Sequence, residues 1–343
     1  MFKIFIPKRI IFEKNSLDYE IGNRIYDKFK TDKNIEIIKL SSNKVKSNIP
    51  GENLYDFYRQ GKNTLVVGVK RMGRFQSCKP SAHWQLPLIS GCIGHCQYCY
   101  LNTNLGDKPY IKVNVNIDDI LSEAKEYIKN ALPDTTIFEG SATSDPIPIE
   151  PYTHSLQSAI EFFARSDHGR FRFVTKYGDV DNLLNIDHNN HTEIRFTINT
   201  PYVINSYENR TASIDERLKA ASKIALCDYP LGFIIAPVFI YEGWKDDYHK
   251  LLLNLRENIP CDSLNPISFE VISHRYTPRA KNIILEVFPD TTLPMNDEER
   301  KYKYGQFGYG KYTYTKEDLQ EMKSFFTNEI NSIFENSVIK YII

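Results

Sequence analysis

The chain has 343 residues, of which 41% are hydrophobic and 25% charged, proportions that are ordinary for a globular protein of one large domain or two smaller ones. Its formal net charge is zero, which excludes binding of nucleic acid through an overall basic surface and leaves only local patches for such contacts. Six cysteines in a chain of this length do not indicate a disulfide framework, and no stretch approaches the roughly 20 apolar residues of a membrane span.

The first region, residues 1–80, reads as an extension in front of the main fold. Charged residues interrupt the apolar start of the chain, so we do not interpret it as a signal peptide and expect a reducing, cytoplasmic environment. Short strands are predicted at Phe2–Pro7 and Glu36–Lys39, with a helix at Ser16–Lys30 between them. No residue before Cys78 indicates chemistry.

The second region, residues 81–290, alternates predicted strands with predicted helices. Repeated strand–helix units predict a parallel α/β sheet, and six units are too few for a closed eight-unit barrel, so we expect a partial (β/α)6 TIM-like barrel. The predicted strands are Trp84–Ile89, Thr135–Phe138, Arg170–Val174, Glu193–Ile198, Gly232–Phe239 and Ile267–Ile272. The predicted helices are Ile117–Ala131, His154–Arg165, Asp179–Asn185, Ile214–Leu226 and Lys245–Glu257.

The third region, residues 291–343, begins with a segment in which aromatic residues alternate with lysine and arginine around three glycines, at 300–314. Period-two alternation broken by turn residues predicts a hairpin. An amphipathic helix at Lys316–Phe334 and a last strand at Ser337–Ile342 follow.

The most informative motif is a loop of three cysteines with the spacing C-x3-C-x2-C: Cys92, Cys96 and Cys99, within the sequence SGCIGHCQYCY. Three thiolates leave one iron of a 4Fe–4S cluster without a protein ligand, and such an open position can hold a small molecule. The alternative is a structural zinc site or a set of reduced, buried thiols. The loop follows the first predicted barrel strand, where barrel active sites lie.

This loop resembles the signature of the radical S-adenosylmethionine superfamily, and further blocks resemble one family within it, spore photoproduct lyase. The blocks are Lys79–Ala82, Gly91–Tyr100, Leu105–Tyr110, Thr143–Asp145, Thr175–Tyr177, Ile235–Pro237, Tyr241–Trp244, His274–Tyr276 and the hairpin at 302–314. The resemblance implies a partial six-unit barrel, a 4Fe–4S cluster and S-adenosylmethionine. It implies repair of the spore photoproduct, 5-thyminyl-5,6-dihydrothymine, in double-stranded DNA, with electrons from a donor such as ferredoxin or flavodoxin, in the spore core.

The resemblance also implies a cofactor pocket at the ends of successive strands. Ser144 and Asp145 follow the second strand, Lys176 follows the third and would reach the cofactor carboxylate, and Thr197 and Ala236 would complete the pocket. A cationic lysine suits a carboxylate, and small residues admit an adenosine. The alternative is a solvated lysine at the barrel rim, with Ser144 and Asp145 capping a helix.

The hydrogen-transfer residues implied by the resemblance include one departure from the family pattern. Tyr98 and Tyr100 would relay a hydrogen atom near the lesion, the alternative being two packing aromatics. The family has a hydrogen-donor cysteine where this chain has Ala142, which has no weak X–H bond to offer. The chain is therefore either a donor-deleted form or a variant whose donor lies elsewhere. We hypothesise that Cys78 takes over the donor role; the alternative is an inert buried thiol.

The predicted DNA-side residues are in the hairpin and just before it. Lys303 and Arg275 are phosphate candidates, while Gln306 and Phe307 occupy the hairpin tip, where the family carries an arginine–tyrosine pair. The alternative is an edge hairpin without a DNA-binding role, whose lysines are solvated. Two rival functions remain: a related radical S-adenosylmethionine enzyme with another substrate, and a lesion-binding module whose cluster is only structural.

Overall fold

The computed structural model of the chain describes residues 5–42, 44–260, 265–304 and 310–343. The strands are β1 (Arg9–Phe12), β2 (Glu36–Lys39), β3 (Thr64–Gly68), β4 (Ser77–Cys78), β5 (Ala82–Gln85), β6 (Ile89–Ser90), β7 (His95–Cys96), β8 (Ile111–Asn114), β9 (Thr136–Glu139), β10 (Gly169–Thr175), β11 (Thr192–Ile198), β12 (Glu208–Asn209), β13 (Leu231–Val238), β14 (Ile267–Ser273), β15 (Lys301–Tyr304), β16 (Gly310–Thr313) and β17 (Ser337–Ile342). The helices are α1 (Glu20–Phe29), α2 (Leu54–Lys62), α3 (Leu101–Asn104), α4 (Ile117–Ala131), α5 (Glu150–Thr153), α6 (Ser155–Ala164), α7 (Pro201–Tyr207), α8 (Ile214–Leu226), α9 (Trp244–Asn258), α10 (Pro278–Val287) and α11 (Lys316–Ile333).

The larger of the two main sheets is a curled half-barrel with the strand order β17-β14-β13-β11-β10-β9-β5-β4. Strands β5, β9, β10, β11, β13 and β14 are parallel neighbours, as the six predicted units require, and β17 extends them as a further parallel strand. Only β4 runs antiparallel, against β5. The predicted partial barrel is therefore confirmed.

Side chains of the barrel strands alternate between an apolar face and a charged face, because successive residues of a strand point to opposite sides. Phe171, Phe173 and Phe196 are buried in the main hydrophobic core, together with residues of the surrounding helices. Between them, Arg172 and Arg195 point to the other face, where they pair with the buried Glu139 and Glu270 and with the partly exposed Glu193. Buried charges are tolerated there because each has a partner of opposite sign.

The second main sheet joins the start of the chain to the segments on either side of the cysteine loop. Its order is β2-β1-β3-β8-β6. The region 1–80 contributes β1, β2 and β3, whereas β6 immediately precedes the cysteine loop and β8 follows it. Parallel pairing of β3 with β8, and antiparallel pairing of β6 with β8, tie both ends of the loop to this sheet.

Three predicted elements differ from the structure. The first strand is Arg9–Phe12 rather than Phe2–Pro7; its four residues are all buried, and residues 5–7 lie outside any strand. The predicted strand Trp84–Ile89 is two strands, β5 and β6, which belong to different sheets on either side of Pro87, a residue that cannot donate a ladder hydrogen bond. The predicted helix Asp179–Asn185 is a short 3-10 turn.

The C-terminal region matches its prediction. Strands β15 and β16 form an antiparallel hairpin, α11 packs on α9, and β17 pairs with β14. Within the part of the chain that the structure describes, no helix is long and apolar enough to span a membrane.

Candidate active site

The cysteine loop is held between the two sheets. Its middle forms β7, which pairs with β12 so that Cys96 lies opposite Glu208. At its start, the Gly91 backbone N–H donates to the carbonyl of Thr143 across 2.8 Å. Gly91 has a φ of +81°, and a Cβ there would lie 2.2 Å from the Tyr110 carbonyl oxygen, so only glycine fits this turn.

A lysine that the sequence did not reveal fixes the path of the loop. Lys62, at the end of α2, is 1% exposed and donates to the carbonyl oxygens of Cys92 and Gly94, at 2.8 Å each. The backbone N–H of Gly94 in turn lies 3.3 Å from the Cys92 sulfur. A charge-assisted bond to two carbonyls of one turn makes this part of the loop rigid.

The three thiols form one donor set on the loop. Burial, with a smaller contribution from a charge on Cys99, raises the pKa of Cys92 to about 11 and that of Cys96 to about 12. No group of three or more His, Cys, Asp or Glu side chains in the described ranges could hold a single metal ion. An iron–sulfur cluster binds its thiolates at separate irons, and three neighbouring thiols on one loop fit that arrangement.

A buried ionic network lies beside the loop and contains Lys176. The Lys176 amine is 2.6 Å from Glu208 Oε1 and 2.5 Å from the Tyr98 hydroxyl. Arg217, which is fully buried, donates to Glu208 Oε2 at 2.6 Å. Burial alone would raise the pKa of Glu208, but Arg217 and Lys176 outweigh it and lower this pKa to about 2. Lys176 is therefore not a solvated rim lysine.

The other predicted pocket residues lie on the same strand ends. Ser144 forms a β-bridge with Gly91, and its buried hydroxyl has no hydrogen-bond partner in the described part of the protein. Asp145 accepts from the Lys176 backbone N–H and the Thr175 hydroxyl, both at 2.8 Å, and burial raises its pKa to about 6. A buried, unpaired hydroxyl calls for a further polar partner, and S-adenosylmethionine is rich in such groups.

Thr197 and Ala236 occupy the next two strands of the same edge. Thr197 is buried near the end of β11, and its carbonyl accepts from Arg217 at 3.0 Å. Ala236 is half-buried near the end of β13. Both side chains are small, as the predicted pocket requires at these positions.

Of the candidate hydrogen-transfer residues, Tyr100 contacts the segment that follows β9, whereas Tyr98 belongs to the ionic network of Lys176. The Tyr100 hydroxyl donates to the carbonyl oxygen of Ala142, and its ring is 54% exposed. Burial raises the pKa of Tyr100, and charges on Cys99 and Cys78 act in the same direction. Cys78 is half-buried on β4, the antiparallel partner of β5. The structure thus joins Tyr100 to Ala142 directly and places Cys78 on β4, two strands from β9 in the same sheet.

The DNA-side candidates form a cationic cluster on the hairpin. Lys303 lies directly opposite Lys311 across the β15–β16 ladder. Burial lowers the pKa of Lys311, and the nearby charges of Arg275 and Lys303 lower it further. Gln306 and Phe307 lie outside the described residues.

The base of the hairpin is fixed by a residue that sequence reasoning missed. The Arg300 guanidinium stacks 3.6 Å from the centroid of the Tyr314 ring and donates to the carbonyl of His274 at 3.1 Å. Tyr276 and Tyr312 stack at 5.3 Å and exchange two backbone hydrogen bonds, so the hairpin is docked on the segment that carries Arg275. The alternating pattern of residues 300–314 predicted the two hairpin strands, but nothing in that pattern distinguished Arg300 from the neighbouring lysines.

A half-barrel of parallel strands, with a three-cysteine loop after its first strand and polar residues at the following strand ends, defines a radical S-adenosylmethionine protein. The family model described as spore photoproduct lyase matches residues 5–343. The chain belongs to the spore photoproduct lyase family.

Curated relatives match along almost the whole chain. The spore photoproduct lyase of Clostridium acetobutylicum is 53% identical over 336 residues, which cover 98% of each chain. That of Bacillus subtilis is 44% identical over 337 residues, again 98% of each chain. Their agreement in length indicates that the extension and the hairpin region are present in these relatives as well.

Solved structures of spore photoproduct lyase match equally well. One is a double mutant, in which a cysteine is replaced by alanine and a serine by cysteine, with bound AdoMet and dinucleoside spore photoproduct. It matches with a TM-score of 0.95 and 46% identity, over 99% of this chain and 100% of that one. A second structure, complexed with dinucleoside spore photoproduct, has a TM-score of 0.95 and 45% identity, with the same coverage.

Replacing Lys62 with methionine is expected to lower the iron bound per chain after anaerobic reconstitution, because the carbonyls of Cys92 and Gly94 lose the charge that fixes the turn. Arg59→Met is the matched control, since Arg59 is exposed on the same helix. Iron and sulfide analysis measures the effect. Equal iron in wild type and Lys62→Met would show that the loop does not need this anchor.

Proposed function

We propose that the protein is a DNA repair lyase that reverts the spore photoproduct to two thymines by a 5′-deoxyadenosyl radical mechanism. The observation that carries this proposal is the near-complete match, in fold and sequence, to solved structures that bind AdoMet and dinucleoside spore photoproduct. The cysteine loop and the strand-end residues described above give the chain the groups that such a reaction needs.

In this proposal Cys92, Cys96 and Cys99 would hold a 4Fe–4S cluster, and the strand-end residues would bind S-adenosylmethionine. When bound, these two groups would supply the radical chemistry of the reaction. The chain's own contribution is positional. Ser144 offers its unpaired hydroxyl, and Asp145 fixes the backbone that carries Lys176.

The buried network favours a carboxylate ligand. Lys176 is the partly exposed member of the network, with 18% of its side chain accessible, whereas Glu208 and Arg217 are fully buried. Because electrostatic attraction is stronger where the dielectric constant is low, the Lys176 ammonium group favours the carboxylate of S-adenosylmethionine. Thr197 and Ala236 leave room for the rest of the cofactor.

We further propose that Cys78 returns the hydrogen atom to the repaired thymine, with Tyr100 and Tyr98 as relay residues. Ala142 cannot do so. The cysteine-to-alanine and serine-to-cysteine positions of the double mutant are as far apart in that sequence as Ala142 and Cys78 are here. Burial raises the pKa of Cys78 to about 11, so its sulfur keeps the S–H bond at neutral pH.

The hairpin cluster supports a DNA-side role for Arg275 and Lys303, with Gln306 and Phe307 at the lesion gap. Like charges directly opposite each other destabilise a two-stranded ladder. Lys303 and Lys311 form such a pair, so they repel each other in the free hairpin. A phosphate between them removes that repulsion. The partner we propose is double-stranded DNA that carries a thymine photoproduct.

The double variant Lys303→Gln/Lys311→Gln is expected to bind lesion-bearing duplex more weakly and with a smaller salt dependence. Each lost phosphate contact lowers the slope of log affinity against log salt by about 0.9. Fluorescence anisotropy at several salt concentrations measures both quantities. Lys125→Gln/Lys129→Gln on α4 is the control with the same change in net charge. A slope equal to that of wild type would remove this pair from the DNA interface.

The proposed function is tested by incubating the reconstituted protein with S-adenosylmethionine, dithionite and the dinucleotide photoproduct. We expect the thymine dinucleotide as product. Cleavage of S-adenosylmethionine without any repair would favour the rival enzyme with a different substrate, and no cleavage at all would favour a lesion-binding module. In the cell we propose ferredoxin or flavodoxin as the electron donor and the cytoplasm of the spore core as the location.

A further inference from the structure

Tyr58 carries a buried hydroxyl that no element of the described fold explains. It lies on α2, its side chain is 3% exposed, and its phenolic oxygen has no hydrogen-bond partner among the described residues. Leaving such a group buried and unpaired destabilises the folded state. A phenylalanine would fill the same space without that cost, so the hydroxyl itself requires an explanation.

The Tyr58 ring packs against the cysteine loop. It meets the His95 ring edge-on, with 5.4 Å between the centroids, and His95 directly precedes Cys96. On the same helix, the Lys62 amine that binds the carbonyls of Cys92 and Gly94 lies 5.4 Å from the centroid of the Tyr58 ring. Phe288 closes another side of the ring at 5.5 Å. Tyr58 therefore belongs to the wall of the site that the three cysteines define.

The Tyr58 phenol is a hydrogen-bond donor without an acceptor among the described residues. Burial raises its pKa, so the phenol stays protonated. His95 offers it no acceptor, because the His95 Nε2 accepts from the Arg210 guanidinium at 3.0 Å and the ring proton of the neutral imidazole is then on Nδ1.

We propose that the Tyr58 hydroxyl donates a hydrogen bond to a sulfur of the cluster held by the three cysteines. This inference rests on the proposed function, since it requires that the loop binds a 4Fe–4S cluster. Reduction adds negative charge to the cluster, and a hydrogen bond to its sulfur stabilises that charge. Tyr58 would thus make the cluster easier to reduce, and so help an electron donor to start each turnover.

The test compares wild type, Tyr58→Phe and the control Tyr55→Phe, which removes a hydroxyl from a 46% exposed tyrosine on the same helix. All three are reconstituted anaerobically and titrated against potential, with the reduced cluster followed by electron paramagnetic resonance. For Tyr58→Phe we expect the equilibrium constant for reduction to fall on the order of tenfold, which is about 59 mV more negative for a one-electron couple. Tyr55→Phe should keep the wild-type potential.

A second measurement, urea unfolding of the cluster-free proteins, separates this role from a structural one. Because Tyr58→Phe deletes an unpaired buried hydroxyl, this variant should unfold at the same or a higher urea concentration than wild type. A lower concentration would mean that the hydroxyl has a protein partner, and would overturn the inference. An unchanged reduction potential of Tyr58→Phe at full iron content would also overturn the inference. Loss of iron from Tyr58→Phe, with the cluster-free fold intact, would support it. Wild-type protein that binds no cluster would instead contradict the proposed function.

Discussion

Replacing Glu208 with glutamine is expected to lower the free energy of unfolding by about 3–5 kcal/mol, the cost of removing one partner from a buried ion pair. Glu208 and Arg217 are both fully buried, and the arginine would keep its charge without a carboxylate. The amide can accept only one of the bonds that the carboxylate now accepts from Arg217 and Lys176. Urea unfolding at neutral pH measures the loss.

The control for this prediction is Asp181→Asn. Asp181 pairs with Lys223 at 2.5 Å, but both side chains are largely exposed, so the change should be below about 1 kcal/mol. The pH dependence gives an independent check. The pKa of Glu208 falls from 4.5 to about 2 on folding, so its stabilisation is complete above pH 4.5 and is lost as the pH falls toward 2. The gap between wild type and Glu208→Gln should narrow over that range; a gap of constant size would contradict the assigned pairing.

The second large effect is expected from Cys78→Ala. If Cys78 is the hydrogen donor, its loss leaves the thymine radical without a nearby S–H group, because position 142 is already alanine. We expect the yield of clean thymine from the dinucleotide photoproduct to fall several-fold and adducts of the unquenched radical to accumulate. Liquid chromatography with mass spectrometry measures both products. In heavy water, wild type should transfer solvent deuterium from the exchangeable thiol to the product.

Two further variants control the Cys78 experiment. Cys227→Ala removes a thiol at the end of α8, away from the strand edge, and should repair normally. Ala142→Cys in the Cys78→Ala background restores a thiol on the residue whose backbone carbonyl accepts the hydrogen bond of the Tyr100 hydroxyl, and should recover the clean yield. Unchanged repair by Cys78→Ala would contradict the hypothesis that Cys78 is the hydrogen donor.

The parts of the fold that the sequence predicted are those encoded by local patterns. The six barrel strands and the helices Ile117–Ala131 and Ile214–Leu226 have apolar residues at the expected period, and the structure has both helices at those bounds. The cysteine loop was identifiable because its three cysteines lie within one short segment. The strand-end residues were assigned through the resemblance to the family, and the parallel strands bring them to one edge of the sheet.

The parts that could not be predicted depend on contacts between distant segments. Glu208 and Arg217 read as ordinary surface charges, and only the pairing of β7 with β12 shows that Glu208 is buried beside Cys96. Lys62 and Tyr58 lie on α2, where no helix was predicted. Both residues pack against the cysteine loop, which follows some thirty residues later in the chain. Local patterns carry no information on such partners, because their energy exists only once the chain has folded.

The smaller sheet combines strands from the start of the chain with strands on either side of the cysteine loop, and this limits which segments can be exchanged between relatives. Strands β1, β2 and β3 come from the first 68 residues, and β3 shares hydrogen bonds with β8, which in turn pairs with β6. Strands β6 and β8 hold the ends of the cysteine loop. A chimera joined between β3 and the loop would bring a foreign strand edge against β8. Only chimeras that inherit the first strands and the loop from one parent keep this register, so the two segments are expected to be exchanged together.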